Sequence, residues 1–176
     1  MGKLLLRNAF LGGIGVVAVS AGAMAPGSSS PAKPAESPDA SFVHRAGESD
    51  LAELEFSRLA ADRAASPKVR AYAQRIVEDH GRTSRELAII AAHENIALPD
   101  GVDEEHSQVL DALAGEGGAI FDDNYITAML VAHQQLASLL KSSEAAVSTD
   151  ELRTYIRKTL PVVESERRLA QGVSTQ

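Results

Sequence analysis

The chain has 176 residues, a net charge of −7 and neither cysteine nor tryptophan, and aromatic residues make up only 4% of it. That length fits one ordinary domain plus a short extra segment. The missing cysteines exclude disulfides, thiolate metal sites and a cysteine nucleophile. The acidic balance excludes nucleic acid as the main partner, because phosphate binding needs a basic stripe.

The first residues, Met1 to Arg7, carry Lys3 and Arg7 and no acid, and an apolar run rich in Gly, Ala and Val follows from Ala9 to Ala25. This is the charged start and apolar centre of a secretory signal. Ala21 and Ala23, or Ala23 and Ala25, offer small-residue cleavage sites; Pro26 directly follows the second, so cleavage is expected near Ala23. Losing Lys3 and Arg7 takes the charge from −7 to −9. An uncleaved membrane anchor is the other reading, although the run is short for a span. Without cysteine there is no lipoprotein signal. Pro26 to Pro38 holds four prolines and several serines and reads as a flexible spacer. The sequence thus divides into a signal peptide (1–25), a linker (26–38) and a folded part (39–172). It predicts a periplasmic or otherwise extracytoplasmic protein, exported by the general secretion route.

From residue 39 onward helix signals recur and strand alternation is missing. A first helix is expected over about Asp39–Ala65. Ser66-Pro67 then supplies a cap and an N-terminal proline for a second, running to about Asn95, with Val69, Ala73, Ile76, His80, Leu87 and Ala91 on one face. Leu98-Pro99-Asp100-Gly101 breaks it. A short third helix (about Asp103–Ala114) ends at Gly115, Gly117 and Gly118. A fourth (about Ala119–Val147) groups Phe121, Tyr125, Met129, Ala132, Leu136 and Leu139. Ser148 with Glu151 reads as a capping box for the last helix, which runs to about Gly172 with Leu152, Ile156, Leu160, Val163 and Ala170 inward and a kink expected at Pro161. Four long helices make a bundle. The short third one, placed where a crossover between the second and fourth belongs, allows ferritin-like connectivity.

Projected at 100° per residue, each long helix carries one inward ionisable group: Glu53, His80, His133 and Glu166. Glu55 and Glu164 point elsewhere, and Asp122 lies three turns before His133 on the same side. A buried carboxylate must be paired, hydrogen-bonded, neutralised or bound to metal. Two carboxylates and two neutral imidazoles match the charge of one divalent ion and suit Zn, Mn, Fe or Cu. The competing reading keeps the histidines hydrogen-bonded in the core and pairs the carboxylates with Arg58, Arg75 or Arg157. Asp79, at the edge of the stripe, reads as second to the site or as a solvated residue. Tyr125 is a further candidate, whereas His44, His93 and His106 read as peripheral. A dinuclear carboxylate site needs Glu-x-x-His on two helices; Val77 and Leu130 stand three residues before His80 and His133, so that type is excluded.

The pieces FV at Phe42, AELE around Glu53, SPKVRAYAQRIVEDH ending at His80, LP at Leu98, FDDNY from Phe121, VAHQQ around His133 and TLP at Thr159 resemble the bacterial exported ferritin-like proteins of domain of unknown function family 4142. They run in order over nearly all of the folded part. The resemblance implies an extracytoplasmic four-helix bundle and brings no established activity. Asp79-His80, Asp122, Tyr125 and His133 match the family's pattern; Glu166 departs from it, standing where the family carries a histidine.

Two functions follow. One is a metal-binding bundle of the cell envelope, using Glu53, His80, His133 and Glu166, in which replacing a histidine lowers the melting temperature only when metal is present. The other is a non-enzymatic envelope or stress-related interaction module with no metal, its protein partner unspecified. A hydrolase is disfavoured: no Ser-His-acid set has a recognisable spacing, and no phosphate cradle is present.

Overall fold

The computed structural model describes residues 36–174, with side chains to 173; the signal peptide and nearly all of the linker reading lie outside them. Among the described residues the chain forms helices only: α1 (Pro38–Arg63), α2 (Pro67–His93), α3 (Glu104–Ala114), α4 (Gly118–Ser143) and α5 (Asp150–Ser174). None is long and apolar enough to cross a membrane.

The boundaries have local causes. Ser37 accepts from the Ala40 amide, and Pro38 occupies the first turn, where a missing amide costs nothing. The last linker residue of the sequence reading is therefore already helical. α2 ends at His93 because Asn95 turns left-handed (φ 54) and the Ile96 amide reaches back to the Ala91 carbonyl. Asp103 caps α3 through the His106 amide. The Ser148–Glu151 box does not form. Thr149 accepts from the Leu152 amide instead, and Ser148 is drawn away by Asp39, which takes both its amide (2.7 Å) and its hydroxyl. α5 runs through Pro161 without interruption.

Three contacts set the helix directions. Asp122, near the start of α4, accepts from the Ala65 and Ser66 amides (3.0 and 2.7 Å) at the turn that starts α2, so α2 and α4 run parallel. Asp39 at the start of α1 holds the turn between α4 and α5, which makes α1 antiparallel to α4. His93 at the end of α2 faces Glu151 at the start of α5 (3.4 Å). The connection from α2 to α4 travels down α1. Pro99 sits on Gly47, where a Cβ would come within 2.8 Å of the proline ring; His106 meets Phe56; and the Ala114 carbonyl accepts from Arg63. The two parallel long helices, α2 and α4, are thus joined by one long crossover. The crossover also explains why α1 is buried around so much of its circumference: it is covered by α2, by α4 and by the connection.

The core has two apolar clusters. One holds Phe42, Leu87, Leu140, Leu152 and Ile156, and the other Phe56, Ile76, Phe121, Tyr125 and Met129. Along every long helix the change from one cluster to the other falls at or near one ionisable residue.

Candidate metal centre

Those four residues are Glu53, His80, His133 and Glu166, one from each long helix, with at most 3% of any of them exposed. Their functional atoms meet. His80 Nε2 lies 3.2 Å from Glu53 Oε2 and 3.4 Å from Glu166 Oε2, and His133 Nε2 lies at the same two distances from the same two oxygens. Ligand atoms of Glu53, His80 and His133 all fall within 4.8 Å of one another.

The outer atom of each imidazole is already engaged. His133 Nδ1 is 2.7 Å from the Met129 carbonyl, which can only accept, so Nδ1 carries the hydrogen. His80 Nδ1 is 2.6 Å from Asp50 Oδ1, a carboxylate that is itself held by Thr83 and Ser84. Both rings therefore present Nε2 to the common point, the arrangement that prepares a histidine to ligate a metal. Glu53 is oriented in the same way, its Oε1 accepting from Ser49 at 3.0 Å while Oε2 faces inward. Glu53 Oε2, His133 Nε2 and both oxygens of Glu166 are buried without a hydrogen-bond partner. The close approaches at the centre thus lack hydrogen-bonding direction, and a cation at the common point would satisfy all of them.

The charges compensate one another without a metal. Burial opposes protonation of His80, but Glu53, Asp50 and Glu166 around it hold its pKa well above the usual value. His133 is also raised, burial being overcome by Glu53 and Glu166. For Glu166 burial alone would raise the pKa, and contact with His133 and His80 reverses this and takes it down to about 2. Two imidazolium groups can therefore balance Glu53 and Glu166, while Asp50, a third buried carboxylate, is held by His80, Thr83 and Ser84; a divalent ion would take the place of two protons.

The remaining sequence candidates fall outside this cluster. Arg58, Arg75 and Arg157 pair with Glu55, Asp79 and Glu144, so none neutralises Glu53 or Glu166. Asp79 is held by Arg75 and Arg82 on its own helix. Asp122 spends both oxygens on the backbone amides described above. Tyr125 shares a hydrogen bond with Ser57 at 2.9 Å, and burial, above all, keeps its phenol protonated. His44, His93 and His106 face Glu48, Glu151 and Asp103 away from the centre. Sequence reasoning passed over Asp50 and Ser49. Their spacing was a usable signal, because Asp50 and Ser49 precede Glu53 by three and four residues and so share its face.

Two solved structures share the fold. A DUF305 fragment from Deinococcus radiodurans superposes with a TM-score of 0.71 at 16% identity, covering 81% of this chain and 99% of that one. CopM in its Cu(II)-bound form gives a TM-score of 0.66 at 19% identity, covering 78% and 95%. At such identities the likeness is one of fold. No curated protein matches the chain. A family model does match, over residues 23–173, and takes in α1 to α4, all but the last residue of α5, and the four inward residues. The chain therefore belongs to the family described as Domain of unknown function (DUF4142).

Proposed function

We propose that this protein is an exported, non-enzymatic bundle that binds one divalent transition-metal ion between its four long helices, through Glu53, His80, His133 and Glu166. The observation that carries this reading is the convergence of four donor atoms from four helices, three of those residues having inward atoms left without hydrogen-bond partners. Each imidazole Nε2 lies 3.2–3.4 Å from one oxygen of each glutamate, and Glu53, His80 and His133 form the tightest part of the set. Two imidazoles and two carboxylates favour Zn, Cu, Fe or Mn over soft monovalent ions. The Cu(II)-bound state of CopM, which shares the fold, supports copper among these.

Metal would complete the coordination of Glu166, whose two oxygens are free to bind through one or both. The same layer also supports a second reading, an interaction module held by a metal-free charge quartet, because the raised pKa values of both histidines let them balance the two glutamates.

Elemental analysis of the mature domain, purified without tags or chelators, separates the two readings when combined with melts with and without added Zn, Mn, Fe and Cu. Near-stoichiometric metal is expected, with a stabilisation of about 2.7 kcal/mol at a hundredfold excess over Kd. No bound metal and no shift with any of the four ions would leave the interaction module. Export is tested by the mass of the protein recovered from the cell envelope, which should begin near Met24 if the chain is cut after Ala23.

A further inference from the structure

A cavity of about 10 Å³ lies between α2 and α5, and its wall includes His80 and Glu166 themselves. That is room for about one water molecule. Its wall also holds Asp50 and Thr83, and two residues that are partly exposed, Asp79 and Val162. On the opposite side, a polar cavity of about 310 Å³ against α1, α3 and α4 is far larger, yet it has Ser49 and Gln135 in its wall and none of the four inward residues.

We infer that the metal reaches the centre through the α2–α5 seam, with Asp79 offsetting the guanidinium charge at the mouth and Val162 as the plug. This rests on the metal reading above. Three independent features favour that side. Glu166, 1% exposed and with both oxygens unpartnered, lines the cavity and meets an incoming ion first. Asp79 sits at the rim between Arg75 and Arg82, where its carboxylate offsets guanidinium charge that would otherwise repel the ion. Pro161, next to Val162, has no amide to give the Arg157 carbonyl, so the α5 wall lacks one backbone link at this turn and opens there most easily. On the opposite side Ser49 is hydrogen-bonded to Glu53 and closes the floor.

The test is stopped-flow uptake of Cu(II) by the metal-free full-length protein, followed by visible absorption, for the wild type and for V162F, V162A, D79N and Q135F. V162F should slow uptake by roughly tenfold or more, as expected where association needs a conformational opening. V162A should speed it, D79N should slow it less than V162F, and Q135F should leave it unchanged, with full final loading in every case. Wild-type rates in V162F, V162A and D79N, or equal slowing by Q135F, would overturn the route while leaving the metal site standing. Failure of the wild type to load at equilibrium would overturn both.

Discussion

The core of this bundle changes character along its length, and its two kinds of region are held by different physics. The apolar ends, around Leu140 and Ile156 on one side and Phe121 and Ile76 on the other, are stabilised by area removed from water and by close packing, which do not depend on pH or on ions. The layer between them holds Glu53, His80, His133 and Glu166 with Asp50 beside them, buried ionisable groups that are tolerable only while they compensate one another. Apolar ends would accept several helix staggers. The layer accepts one, because sliding any helix by a turn would strand a buried charge. In this bundle the oily ends drive association, and the polar layer penalises any stagger that would separate its charges.

That contrast can be broken at the layer first. His133→Ala leaves Glu53 and Glu166 facing a single imidazole and should cost about 3–5 kcal/mol, measured by denaturant unfolding. The cost should be present with or without metal, and the metal-dependent increment should disappear. The sequence-based expectation for a metal site differs in that it places the loss only where metal is present, so melts with and without metal distinguish the two. A variant as stable as the wild type would mean that the layer's charges do not depend on one another for their burial.

At an apolar end, Leu140→Ala empties a fully buried position and should cost about 2–5 kcal/mol. Here the metal-dependent rise in Tm should survive intact, because the site lies two turns away. Loss of that rise would show that the ends and the layer are energetically coupled rather than separate.

The layer should also confer a pH dependence that the ends cannot. His80 and His133 are raised above 6.5, so their contribution is complete below pH 6.5 and is lost as pH rises through their higher folded values. Glu166 is lowered from 4.5 to about 2, so its contribution is complete above pH 4.5 and is lost as pH falls towards 2. Metal-free protein should therefore be most stable between about pH 4.5 and 6.5. Bound metal, having displaced the imidazole protons, should remove the alkaline decline. Urea midpoints against pH, with and without metal, give the answer, and a metal-free midpoint still climbing above pH 7 would count against the charged quartet.

The smallest effect should come from Asp50→Asn. The amide oxygen can still accept from His80 Nδ1, so the ring stays oriented while the charge is lost. Affinity for metal should fall about 10–100-fold by calorimetric titration. Unchanged affinity would reduce Asp50 to a packing role.

Much of the fold was legible because helical period and capping are local. The inward stripes on α2 and α4 came out residue for residue, since Val69, Ala73, Ile76, His80, Leu87 and Ala91 all prove buried, as do Phe121, Tyr125, Met129, Ala132, Leu136 and Leu139. The start of α5 was misread because Asp39, more than a hundred residues away in the chain, takes Ser148 and leaves Thr149 to cap. Asp122 was placed towards the centre by its helix face alone, whereas its real partners sit on the turn between α1 and α2.

The division is clearest at the centre itself. Each long helix, taken alone, determines that one ionisable residue faces inward, because a period of 3.6 fixes angle around the axis. It does not determine height along the axis relative to the other helices. That was decided by the short turn between α1 and α2, by the crossover descending α1 from Gly47 to Arg63, and by the clamps of Asp122 and Asp39 at opposite ends. Only their combined stagger brings Glu53, His80, His133 and Glu166 to one level, 3.2–3.4 Å apart. Angle is a property of each sequence segment, and height is a property of the packed set.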